Sequence, residues 1–389
     1  MQPIKYTSPK LLYTYISLWA IGHLQEMFLT SSLLSLALYL PFVLMTLTYV
    51  YQVIVSKPRG MMRIISIFFF ILLLYGLFSI LLDSSGKQYG ISFLMTVIGS
   101  IGPIFAFYTY AKKGLLTYNR LMASFFLFLL IAILEYYDTE REALNTLSKG
   151  VEEITNNSSY TILGLFPFLF LFKKHPILQY LGLALIIFYV ISAMKRGAII
   201  VLIILLIWFV YVMLKSASGK RKFIQIVLIG VLAFFSVKFI INFYSESSYF
   251  QQRIESTLEG RSSNRDVIYS VLWQHYISNQ SLSNILFGEG VYKTISITGG
   301  VKAHNDWLEL LIDCGFMGVI LYCVYWVRFY REWRRCRKLE IIHSILGACL
   351  VFTFMKTIFS MSFTSIPFGI TMMMGYCFAS ILYSKKTLN

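Results

Sequence analysis

Long apolar runs alternate along this chain with short polar joints, and each run is about as long as a helix must be to cross the hydrocarbon of a bilayer. About twelve such runs are centred near Trp19, Met45, Leu73, Ile101, Leu129, Phe168, Ile186, Leu206, Gly230, Val319, Leu350 and Met374. None shows the strict apolar-polar alternation of barrel strands. The pattern predicts an all-α polytopic membrane protein with about twelve transmembrane helices. The first run starts after Lys10 and has no small-residue cleavage site before the next, so it reads as a retained helix.

Most joints are short, and the break near the end of the ninth run divides the chain. Residues 1–241 hold transmembrane helices 1 to 9, residues 242–305 form a large extracytoplasmic loop, and residues 306–389 hold helices 10 to 12. A loop of that length without a span is a candidate functional segment. The joint 137–159 is the other long one on that side.

Composition agrees with the pattern: 57% of residues are hydrophobic, 17% aromatic and 13% charged, with mean hydropathy +0.69. The net charge of +16 and pI near 9.5 raise the question of nucleic acid. The basic residues, however, flank apolar helices rather than collecting on a polar domain, so membrane lipid headgroups are the expected partner and nucleic acid is not. Lys112, Lys113, Lys173, Lys174, Arg334 and Arg335 exemplify joints that carry Lys or Arg and almost no acid, which places them, and both termini, in the cytosol. The five cysteines show no CxxC spacing, so neither a disulfide framework nor a zinc site is expected.

With this topology the helices beginning near Gly197 and Asn305 both start outside. Each presents free backbone N–H groups and a partial positive charge, with Arg196 before one and His304 before the other. Within the large loop, Val267, Ile268, Val271, Leu272, Tyr276 and Ile277 recur as on an amphipathic helix. Asn264 suits its N-cap and Asp266 its first turn, which leaves Arg265 at a helix start, favourable only beside an anion. If the three starts converge, they make a phosphate site at the outer bilayer surface.

The segments that carry these residues resemble the O-antigen ligase and polymerase superfamily of bacterial envelope glycan assembly. Its Ser-Arg-Gly-Ala helix start corresponds to Lys195, Arg196, Gly197 and Ala198, with lysine in place of serine. Its loop arginine, apolar helix and Gly-x-Gly correspond to Arg265, Ile268, Tyr269 and Gly288-Glu289-Gly290. Its His-Asn, acidic residue and Gly-x-x-Gly correspond to His304, Asn305, Glu309, Gly315 and Gly318. The resemblance covers roughly residues 190 to 320. It implies a GT-C-like fold, location in the bacterial inner (plasma) membrane, and transfer of a glycan from undecaprenyl diphosphate to a sugar hydroxyl on the outer face, with a chain-length regulator or flippase as further candidate partners.

The residues fit that chemistry. A departing diphosphate gains charge that arginine neutralises through two parallel hydrogen bonds, the role expected of Arg196 and Arg265, with Arg261 and Lys195 as further diphosphate-binding candidates. A neutral imidazole near pH 7 can take the acceptor proton, so His304 is the expected general base. Asn305, Asp306 and Glu309 are candidates to orient it or to bind acceptor hydroxyls, although Asp306 equally suits a helix start. Lys356 and Lys238 read as snorkelling residues, and His23, His175, His275 and His343 as packing or interfacial ones. Neither cofactor nor metal is expected: Asp-x-Asp is absent and the outer histidines and carboxylates lack ligand spacing. A polymerase extending carrier-linked repeats is preferred by resemblance over a ligase acting on lipid A-core. A polyprenyl-linked glycan flippase is the reading from a different class.

Overall fold

The computed structural model describes residues 8–29, 32–82, 87–147, 156–246, 265–278 and 281–386, together with Gln251 and Glu255. Arg261 and Asn264, two residues of interest in the large loop, lie outside them. The described residues form helices and no strands. These are α1 (Pro9–Phe28), α2 (Ser32–Val55), α3 (Met61–Leu82), α4 (Lys87–Lys112), α5 (Tyr118–Leu147), α6 (Ser158–Leu163), α7 (Pro176–Ser192), α8 (Arg196–Ser216) and α9 (Gly219–Glu246). Then follow α10 (Arg265–Ser278), α11 (Leu282–Phe287), α12 (Lys293–Ile297), α13 (Asp306–Arg335), α14 (Glu340–Phe359) and α15 (Phe368–Lys386).

Among the described residues eight helices are long and apolar enough to cross a membrane, α2 to α5, α8, α9, α13 and α14; α7 and α15 are apolar but shorter. Their large apolar side chains are exposed in number, Leu33 and Ile207 among them, which is stable only against lipid. Helix α9 has none of its apolar window buried within the protein. It touches α7 and α8 and offers lipid the rest of its surface.

One apolar run is not a continuous helix. The stretch around Phe168 folds as the short α6 and then a 3-10 turn over Phe166–Lys174. Pro167 withholds an N–H, and Gly164 lies so close to Pro367 that a Cβ there would stand 2.6 Å from the proline ring. The break leaves α6 at one end of the bundle. Helix α4 forms the centre, packed by α2, α3 and α15.

Helix α13 is broken too. Gly315 takes φ +64°, a conformation costly for any residue with a Cβ. Against the break runs the Gly288-Glu289-Gly290 backbone, with Glu289 N–H donating to the Ile312 carbonyl at 2.9 Å and Gly290 N–H to the Asp313 carbonyl at 3.2 Å. A Cβ on Gly315 would lie 2.5 Å from the Gly288 nitrogen. The two glycine motifs are therefore two sides of one joint, which docks α11 on α13.

Helix α10 is amphipathic in practice as in pattern. Leu272 is fully buried with Ala303 and Ile312, and Ile268 and Tyr276 pack beside it, whereas Val267, Trp273 and Ile277 face outward. That small core lays α10 over the segment that enters α13.

Candidate functional site

Helices α1, α5 and α14 end, and α8 and α13 begin, at the same end of the bundle, where an open cavity of about 420 Å³ is lined by residues of α1, α5, α6 and α14, of the segment that precedes α13 and of the loop that leads into α15. Its walls include Trp19, His23, Glu135, Tyr160, Lys302, His304 and Lys356.

Helix α8 starts after a tight turn. Met194 is left-handed at φ 50°, Lys195 is extended, and Arg196 opens the helix. The turn buries Lys195 to 8% exposure, where its ammonium donates to the Asn157 side-chain carbonyl and lies 5.3 Å from the centre of the Tyr160 ring. Lys356 approaches the same ring at 5.3 Å and donates to the Ser365 hydroxyl at 2.8 Å. Two ammonium groups on one aromatic ring form a dense positive site, tolerated through the ring's quadrupole and the attached oxygens. Gly197 lets the helix start close on this ring.

His304 enters from the segment just before α13. Its own φ is 51°, a left-handed conformation uncommon for a side-chain-bearing residue and typical of functional sites. The segment is braced on both sides. Glu309 takes the Ala303 N–H at 2.9 Å and the Thr294 hydroxyl at 2.5 Å. Asn305 caps α13, accepting from Trp307 N–H at 3.0 Å and Leu308 N–H at 3.3 Å. Asp306, fully buried, accepts from the Tyr322 hydroxyl at 2.6 Å and from the Ser362 and Phe363 N–H groups at 2.9 and 3.3 Å. In this way Asp306 fixes the 360–367 loop, which lines the cavity. The three polar residues after His304 thus hold backbone in place around the imidazole.

The electrostatic setting of His304 is cationic. Burial first, then Lys195, Arg265 and Lys302, lower its pKa from 6.5 to about 4, so the ring is neutral at physiological pH. Arg265, first residue of α10, also acts on the Tyr160 hydroxyl. The starts of α8, α10 and α13 therefore come together. Arg265 and Lys195 do not line the cavity but lie close enough to act on His304, and Lys302 and Lys356 line it directly. Arg196, half-buried, does not line the cavity.

Several wall residues escape a reading of the sequence. Tyr160 and Lys302 lie outside the motifs, and Lys356 looks like a snorkelling lysine but is only 3% exposed. His23 reads as a packing or interfacial residue, and its Nε2 lies 3.3 Å from the Glu135 carboxylate. His275, outside the cavity, pairs with Glu289 at 2.7 Å. Intramembrane ionisable residues were the available signal, because they are costly unless paired or functional. Among the described residues, no three His, Cys, Asp or Glu side chains gather into a metal-binding group.

No curated protein matches the chain. Residues 181–323, from within α7 into α13, match the family model described as O-Antigen ligase. That segment supplies Lys195, Arg265, Lys302 and His304, all from one end of the bundle, so the part of this membrane protein that is similar to the O-antigen ligase family, in keeping with the O-antigen ligase/polymerase superfamily, is the part that carries these residues.

Proposed function

We propose that the protein is a glycosyltransferase of the outer face of the bacterial plasma membrane, with both termini cytoplasmic and twelve crossings in a GT-C-like arrangement. It takes a glycan from undecaprenyl diphosphate and joins it to a sugar hydroxyl of a carrier-linked repeat unit, as a surface polysaccharide polymerase. The observation that carries this reading is the set of cations, Lys195, Arg265, Lys302 and Lys356, gathered around one neutral histidine at one cavity.

The chemistry follows from charge. A lipid diphosphate is already a good leaving group and gains negative charge as its bond to the anomeric carbon breaks, so preplaced cations lower the barrier. Arg265, whose charge reaches His304, is the diphosphate-binding arginine of this mechanism, aided by the two lysines that line the cavity, while Arg196, outside the cavity, adds its charge only from the start of α8. The acceptor oxygen forms the new bond to the anomeric carbon, the old C–O bond's electron pair leaves on phosphate, and the acceptor proton passes to His304. A single displacement inverts the anomeric configuration. His304 is a weak base while three cations surround it, and a bound diphosphate, by offsetting them, makes it a stronger one. No metal is assigned a role.

Membrane vesicles holding the purified protein and carrier-linked repeats test the reading. Longer carrier-linked glycans are the expected product. Transfer to lipid A-core instead would make the protein a ligase, and transbilayer movement without new glycosidic bonds would make it a transporter.

A further inference from the structure

A cavity that holds only a diphosphate has no use for a carboxylate, yet one wall of this cavity carries Glu135. The residue sits on α5, outside the segment that matches the family model. One carboxylate oxygen faces His23 Nε2 at 3.3 Å, and the other accepts from the Thr161 hydroxyl at 3.2 Å. The His23 and Glu135 side chains keep 28% and 19% of their surface exposed, and both line the cavity. Trp19 fixes the imidazole, stacking on it with centroids 5.4 Å apart at 11° and on Phe368 at 4.2 Å.

A carboxylate offers about four lone-pair sites, and the protein uses two here. Phosphate is repelled by it, and a cation would compete with the lysines opposite. A ligand rich in neutral donors suits the remaining sites, and sugar hydroxyls are such donors. Space continues in that direction: a smaller cavity of about 130 Å³ shares Trp19 and His23 and is lined further by Glu26, Ser35 and Tyr39. The polar groups there match a second sugar ring better than a lipid tail.

We propose that Glu135, held by His23 and Thr161, binds hydroxyls of the acceptor sugar and sets that sugar against the donor diphosphate. This rests on the glycosyl-transfer reading above. The cavity then has two chemically distinct walls, cations for the carrier diphosphate and a carboxylate-imidazole pair for the acceptor glycan. Glu135 is a binding and positioning residue, with His304 left as the proton acceptor.

The test reconstitutes the full-length protein in vesicles and measures initial rates against acceptor concentration at saturating labelled donor, with binding of glycan-free undecaprenyl diphosphate measured separately. Glu135→Gln is expected to raise the acceptor concentration for half-maximal rate about tenfold or more, the usual effect of losing a hydrogen bond to a charged group. Carrier diphosphate binding should stay within about twofold, because the cationic wall is intact. Glu135→Asp, which keeps the charge on a shorter stem, should give a smaller rise and serves if the Gln variant does not insert. A role limited to offsetting Lys356, whose charge Glu135 does feel, predicts tighter diphosphate binding with unchanged acceptor dependence; that result would overturn the proposal. If the wild-type protein makes no glycosidic bond, the functional reading fails and this inference with it; an active wild type beside an unaffected Glu135→Gln sinks the inference alone.

Discussion

Tyr160 and Gly197 are packed so closely that a Cβ on the glycine would lie 2.6 Å from the tyrosine hydroxyl. The same Cβ would lie 2.7 Å from the Cβ of Phe359 at the end of α14. Glycine at this position thus lets α6, α8 and α14 meet where Lys195 and Lys356 share the Tyr160 ring. Replacing Gly197 by alanine should cost about 1 to 3 kcal/mol of stability, as overpacking generally does, and displace the lysines from the ring. Thermal unfolding in detergent reads the first effect and glycan synthesis the second. A variant with wild-type melting and wild-type synthesis would show that the close approach has no functional weight.

His304 gives a pH prediction with a definite sign. Its pKa falls from 6.5 to about 4 on folding, so between these values the unfolded chain binds more protons than the folded one. Its contribution to stability is present above about pH 6.5 and is lost as pH falls toward 4. For catalysis, kcat/KM reports the free enzyme and should hold down to about pH 4 before its acid limb begins. The acid limb of kcat should lie at higher pH, because bound diphosphate offsets Lys195, Arg265 and Lys302. Two limbs that coincide near 6.5 would contradict this electrostatic account.

The helical, lipid-embedded character of the chain and the three helix starts at Arg196, Arg265 and His304 are legible in the sequence, because span length, basic joints and capping residues are local signals. Their meeting is not local. It depends on Leu272 packing against Ala303 and Ile312, contacts across 31 and 40 positions of chain that periodicity shows only as an apolar stripe. Lys302, Lys356 and Tyr160 are illegible for a related reason: each reads as an ordinary interfacial residue until the fold sets them at one cavity. The break at Phe166–Lys174 defeats a reading by hydropathy alone, since a 3-10 turn buried among helices is as apolar as a span.

If cations set the donor site, charge removal should weaken carrier diphosphate binding without expelling the protein from the membrane. Arg265→Ala and Lys302→Gln are each expected to lower that affinity about tenfold or more, in line with lost hydrogen bonds to a charged ligand. Arg265→Lys should rescue poorly, because an ammonium lacks the planar fork. Both charge-removing substitutions should also move the His304 titration up toward its ordinary value, which NMR of the labelled imidazole can follow. A His304 titration that does not move would separate these residues from the site.

The mechanism assigns every charge-stabilising role to side chains, so turnover should persist in excess EDTA. Product formation by the reconstituted protein, with and without chelator, measures this directly. Loss in EDTA with recovery on adding a divalent ion would require a metal ligand set, and the roles of Lys302 and Lys356 would have to be rewritten.

The joint between Gly288 and Gly315 should matter to the site from a distance. Both have positive φ, 80° and 64°, so any side chain is strained there before contacts are considered. At Gly288 a Cβ would also overlap the Asp313 backbone, and at Gly315 it would meet the Leu286 carbonyl at 2.5 Å. The overlaps are with backbone, which cannot rotate away. Alanine at either position must therefore push α11 off α13, while Gly230, with open space around it in α9, tolerates alanine as a matched control. The displaced segment continues through α12 to Thr294, whose hydroxyl is held by Glu309, and from there to His304. Limited proteolysis should find new cleavage between residues 281 and 303 in Gly288→Ala and Gly315→Ala, with synthesis lost and Gly230→Ala unchanged. Intact loops and full synthesis in both variants would mean that the glycine joint does not support the histidine.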